Sequence, residues 1–209
     1  MIDKYNGVMI ETESPKSIEF EKSNLAFIDG QNMHFGTTKC YECFAKLVLE
    51  NPNLKIENIK LSDCSCGKAW EVNLAKLRIY LKENYNVSEA YYFLGNLQIK
   101  NENLYKGIRE AGFILIFKEH NNKAKSKKKG NIDADLVFEI MKNMVDNAEF
   151  NKIIIVSGDG DYKKLVNYLI AKNKFERILF PNKRFASSLY KEFGKKAFDY
   201  LENIRTYIA

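Results

Sequence analysis

The chain has 209 residues, 45% apolar and 29% charged, which suits one ordinary domain with a sizeable core plus a modest insert or tail. That balance excludes a disordered chain, and a net charge of +6 permits a polyanionic partner without demanding one. No apolar run approaches the ~20 residues of a membrane span, and the four cysteines, with no export signal before them, point to the cytoplasm and to thiols used for packing, metal or redox chemistry.

Residues 1–23 are polar and acidic and read as a weakly ordered leader. Residues 24–209 read as one domain. Its first apolar run, 25–29 (LAFID), ends in an acid. A Cys-bearing insert follows at about 36–69, and the apolar spacing of Trp70, Leu74, Leu77 and Leu81 predicts a helix over 70–84. Runs at 89–94 and 112–117 come next, then KAKSKKK at 123–129, whose ordinary fate is a solvated loop. Residues 132–145 carry a second helical pattern, 152–157 a fourth apolar run, 161–172 a third helix and 176–180 a fifth run. Residues 186–193 and 197–207 read as closing helices. Short runs apolar on both faces, alternating with amphipathic helices, predict an α/β fold: an open parallel sheet with helices on both faces.

Ligands of such sheets bind where strands exit. The first run exits into Asp29-Gly30-Gln31-Asn32 and the fourth into Ser157-Gly158-Asp159-Gly160-Asp161. Asp161 also suits a helix N-cap, and Asp159 suits a turn that satisfies loop amides. Asp29 is harder to explain that way, because an acid directly after a buried strand needs its charge compensated. In the helix after the lysines, Asp133 lies three, four and seven residues before Leu136, Val137 and Ile140, on the stripe facing the sheet. Asp135 shares the wet face and, with Glu139, is a reserve ligand. Asp29, Asp133, Asp159 and Asp161 together would repel one another unless cations intervened, so they read as a two-metal site in which the metals activate a water and stabilise the leaving oxygen of a phosphodiester without a protein nucleophile.

FIDGQN at 27–32, KGNIDADL at 129–136 and VSGDGDY at 156–162 resemble the three signature blocks of NYN domains, in the PIN-like superfamily of metal-dependent nucleases and its LabA-like bacterial branch. The resemblance covers roughly residues 24–182. It implies a Rossmann-like PIN fold of five parallel strands in order 3-2-1-4-5, placing the Asp29 strand beside the Asp159 strand. It implies Mg²⁺ or Mn²⁺ held by Asp29, Asp133, Asp159 and Asp161, an Asn32 that orients the first acid or contacts the scissile phosphate, and RNA as substrate. Family members often carry a second helical Asp where this chain has Glu139, and the Cys insert is atypical.

Beside such a site the lysines gain a role: Lys123, Lys125, Lys127, Lys128 and Lys129, with Lys183 and Arg184 after the fifth run, are candidate nucleic-acid contacts. Tyr162 is a candidate to stack a base, or else a core residue. Cys40-x2-Cys43 and Cys64-x-Cys66 offer two thiol pairs suited to structural Zn²⁺, with inert packing as the alternative. The expected function is a metal-dependent endoribonuclease. The alternatives are a catalytically weak nucleic-acid-binding or regulatory module and a DNA nuclease. The sequence sets no oligomeric state; a homodimer is compatible with it.

Overall fold

The computed structural model describes residues 22–95, 101–118, 132–146, 149–184 and 186–209. The lysine run 123–129 and nearly all of the leader 1–23 lie outside the described residues. Six strands form one all-parallel sheet: β1 (Asn24–Asp29), β2 (Val87–Leu94), β3 (Ile114–Phe117), β4 (Ile153–Val156), β5 (Phe175–Phe180) and β6 (Phe198–Tyr200), in the order β3-β2-β1-β4-β5-β6. The helices are α1 (Gly30–Thr38), α2 (Tyr41–Glu50), α3 (Leu74–Tyr85), α4 (Glu102–Glu110), α5 (Ile132–Val145), α6 (Lys163–Ala171) and α7 (Arg205–Ile208).

The apolar runs explain the layering. Every residue of β1 and β4 is buried, so these two strands form the centre of the sheet. Successive side chains of a strand point to opposite faces. Leu25 and Phe27 join Leu136, Ile140, Leu165 and Leu169 of α5 and α6 on one face. Ala26 and Ile28 join Leu77 and Leu81 of α3, Ile108 of α4 and Ile208 of α7 on the other. The α/β class and the order 3-2-1-4-5 hold, and β1 pairs with both β2 and β4.

Three expectations need correction. The sheet has six strands, not five, because the segment expected to close as a helix over 197–207 supplies β6, then a 3-10 turn and the short α7. The aromatic alternation Phe198-Asp199-Tyr200 explains this: both rings pack on Phe180, each with centroids 5.6 Å away. Residues 188–193 form a 3-10 turn rather than an α-helix. The helix expected from Trp70 begins only at Leu74, because the Asn73 side chain caps it by accepting the Lys76 amide at 3.1 Å. No helix among the described residues is long and apolar enough to cross a membrane.

Candidate active site

The two central strands leave the sheet side by side, Ile28 paired with Val156. Asp29 ends β1 and caps α1, its Oδ1 accepting the Asn32 amide at 2.9 Å. Asn32 then crosses to the second loop, where its Oδ1 accepts the Gly158 amide at 2.7 Å. In that loop the Ser157 hydroxyl accepts the Asp159 amide at 3.2 Å, and Asp159 Oδ1 accepts the Asp161 amide at 3.0 Å. Asp159 thus fills the local amide-binding role that turn chemistry predicts, whereas Asp161 does not cap α6: its backbone amide is the donor, and the position before the helix is held by Tyr162 without a side-chain cap.

Asp133 arrives from the first turn of α5. One carboxylate oxygen each from Asp133, Asp159 and Asp161 falls within 4.8 Å of the others. Asp29 lies behind this trio, 5% exposed. Tyr162 connects them. Its ring is fully buried, and its hydroxyl donates to Asp133 Oδ1 at 2.6 Å and lies 3.3 Å from Asp29 Oδ2. Tyr162 is therefore a core residue aimed at the acids and does not stack a base. Sequence reasoning missed this role, and also that of Tyr190, whose hydroxyl donates to the Asp159 carbonyl.

Electrostatics agree with the geometry. Burial raises the Asp29 pKa to about 6, with the charges of Asp133 and Asp159 adding to it and the Asn32 amide and Tyr162 hydroxyl opposing it. Burial also raises Asp133, helped by Asp159 and Asp161 and opposed by Tyr162. Among the described residues, no ammonium or guanidinium forms an ion pair with any of the four acids. Among the described residues the site is an uncompensated, all-oxygen donor set, which suits a hard divalent cation.

Two expected outcomes follow. A raised carboxyl pKa means the folded state binds the proton more tightly, so the stabilisation is full below the ordinary 3.8 and is lost as pH rises through about 6. In metal-free protein, Asp29→Asn should flatten that loss, gaining ~1–3 kcal/mol over the wild type above this range. Urea unfolding on either side of it measures the effect, and parallel pH profiles for the two proteins would contradict the assignment. Tyr162→Phe removes the buried donor and should cost about 1–3 kcal/mol in the same assay; unchanged stability would mean that the hydroxyl supports neither acid.

The remaining candidates fall elsewhere. Glu139 pairs with Lys142 at 3.5 Å and does not join the trio. Asp135 is half-buried rather than on an open wet face, and its Oδ2 is shielded from solvent without a hydrogen-bond partner among the described residues. Lys183 and Arg184 are exposed and line a cleft with the Cys segment.

The four thiols do converge. Cys40 and Cys66 Sγ lie 3.3 Å apart, Cys64 and Cys66 3.6 Å, Cys43 and Cys64 3.9 Å, and all four lie within 4.8 Å of one another. The Ala69 amide donates to Cys64 Sγ at 3.3 Å. The Cys66 amide, donating to Cys43, is the main cause that brings that thiol down to about 6. Gly67, at φ +70°, makes the left-handed turn just after Cys66.

The NYN domain family model matches residues 25–195. The chain belongs to the NYN domain family. NYN domains are PIN-like nucleases as a class, and the matched range includes both strand exits, α5 and the Cys segment. A crystal structure of a protein of unknown function, VPA0982, from Vibrio parahaemolyticus has a similar fold, with a TM-score of 0.59 and 16% identity over 88% of this chain and 94% of that one. A MATH and LRR domain-containing protein, PFE0570w, from Plasmodium falciparum is 28% identical over 124 residues, 58% of this chain and only 1% of that protein's length.

Proposed function

We propose that this NYN domain, spanning residues 24–209 with an insert at about 36–69, is a metal-dependent endoribonuclease of the cytoplasm. The observation that carries the reading is the convergence of Asp133, Asp159 and Asp161 within 4.8 Å with no basic partner among the described residues. These three would hold Mg²⁺ or Mn²⁺, with Asp29 supporting them from behind through Tyr162. A bound divalent cation supplies Lewis-acid neutralisation of charge on the phosphate and the leaving oxygen. The chain's own groups do the rest. Asn32 locks the two loops in register, the Tyr162 hydroxyl donates to Asp133 and so favours its ionised, ligand-competent form, and Asp161, exposed at the rim, meets the incoming strand first. The test is cleavage of single-stranded and structured RNA, with matched DNA alongside, by the wild type and by Asp159→Asn. Equal cleavage by both proteins would overturn the reading.

The thiols suit Zn²⁺ rather than the cation of the acidic site. Zn–S bonds of ~2.3 Å give a tetrahedron whose edges are ~3.8 Å, against 3.3, 3.6 and 3.9 Å for three of the six thiol pairs and no more than 4.8 Å for the others. Apart from Ile59, the apolar side chains that the segment buries are only Cys40, Cys43 and Ala69, with Cys64 packed against them, too little apolar burial to hold it without a metal. Elemental analysis is expected to find about one zinc per chain, and chelation should lower the melting temperature. Zinc-free protein with four freely titrating thiols and an unchanged melt would contradict this.

A further inference from the structure

The Cys segment faces the end of the chain across an open cleft of about 540 Å³. Lys39, Lys68, Lys183, Arg184 and Arg205 line it, against only two carboxylates, Glu42 and Glu202. Both carboxylates are engaged, Glu42 with Lys68 at 2.6 Å and Glu202 with the Lys183 amide at 3.0 Å. Lys39 clasps the segment through the carbonyls of Glu57 and Ile59, and Arg205 does so through the Gly67 carbonyl at 2.6 Å. Carbonyls carry no net charge, so these bonds order both cations without neutralising them. The Arg184 guanidinium lies 4.5 Å from the centroid of the Tyr41 ring.

The cleft is tied to the acidic site. Asn182, in its lining, donates to the Gly36 carbonyl of α1. Gly36 is one helical turn, ~6 Å of rise, from Asn32, which holds the Asp159 loop. Cations spread over both walls, with an aromatic–guanidinium stack between them, match a chain of regularly spaced phosphates and bases better than a single small anion.

We propose that this cleft receives the phosphodiester strand flanking the site of cleavage, with the thiol-clasped segment as its outer wall and the Lys183-Arg184 turn as its inner one. The proposal rests on the nuclease reading of the acidic trio for its reason to hold a polyanion. It is tested by binding, which is a separate measurement from turnover.

The experiment is fluorescence anisotropy on the full chain with fluorescein-labelled single-stranded RNA, DNA of the same sequence, and a labelled mononucleotide, across a salt series. Lys68→Gln and Arg184→Gln alter exposed side chains, so the fold should survive, and circular dichroism checks it. Each substitution should weaken strand binding by about threefold to tenfold and reduce the salt slope by roughly 0.7. Lys68→Glu/Arg184→Glu should weaken it further. Losses on RNA and DNA alike assign the contacts to phosphates, and losses on RNA alone add the 2′-hydroxyl; either supports the cleft. Unchanged affinity and salt slope in folded variants would overturn it, as would a mononucleotide that binds as tightly as the strand. On an Asp159→Asn background, Lys68→Gln and Arg184→Gln should weaken strand binding by the same factor as in the wild type; if Asp159→Asn itself cleaves like the wild type, the nuclease reading fails while the binding result stands.

Discussion

Asp159→Asn is expected to reduce RNA cleavage by at least a factor of about 100 while leaving the fold intact. Asp159 supplies one of the three gathered carboxylates and also accepts the Asp161 amide at 3.0 Å. Asn retains an oxygen for that amide, so the loop should keep its shape. The charge is lost, and with it one ligand of a hard cation. Asp133→Asn should behave similarly, whereas Asp135→Asn and Glu139→Gln should retain most activity because neither residue joins the trio. Excess Mn²⁺ should rescue Asp159→Asn only in part. Full activity of this variant at limiting Mg²⁺ would show that the cluster does not bear the chemistry.

The second large effect is expected from Gly30→Ala. A methyl group there would lie 2.1 Å from Cε1 and 2.7 Å from Cζ of Tyr92, and 2.8 Å from the backbone oxygen of Phe93. Tyr92 cannot swing away freely, because it is buried on β2 and packs edge-on against Phe113 with ring centroids 5.6 Å apart. Overpacking of this kind costs about 3 kcal/mol or more. For a domain of this size that lowers the melting temperature by roughly 6–12 °C. Relief can come only by shifting the start of α1, which carries the amide that Asp29 accepts and the Asn32 side chain that holds Gly158. Activity should therefore fall together with stability. A thermal melt and a cleavage assay on the same preparation check both, and an unchanged melt would contradict a close approach of Gly30 to Tyr92.

The central part of this molecule is legible in the sequence because burial on both faces leaves a simple mark. LAFID and IIIV have no polar residue until they exit, so their place in the sheet centre and the acids at their ends can be read directly. The inward tilt of Asp133 follows from helical spacing alone. Other features depend on partners far away in the chain. Tyr162 follows SGDGD and reads in the sequence as either a base-stacking residue or a core residue, with nothing to mark it as a partner of the acids. Only the folded chain brings its hydroxyl to Asp133 and Asp29, residues 29 and 133 positions away. β6 is three residues long in a segment whose apolar spacing also fits a helix, and the packing of Phe198 and Tyr200 on the Phe180 ring decides the matter. Asn73 delays α3 through a side-chain cap that the apolar stripe beginning at Trp70 conceals. The pairing of C-x2-C with C-x-C announces four thiols, but the cleft beside them depends on Arg205 reaching Gly67 across 138 residues.

The most direct measurement is anomalous diffraction at the manganese edge from crystals grown with Mn²⁺. The account predicts a peak bonded to carboxylate oxygens of Asp133, Asp159 and Asp161, in front of Tyr162 and distinct from any metal among the thiols. Saturating Mn²⁺ with no peak at these carboxylates, or a lysine or arginine side chain paired to them instead, would contradict it.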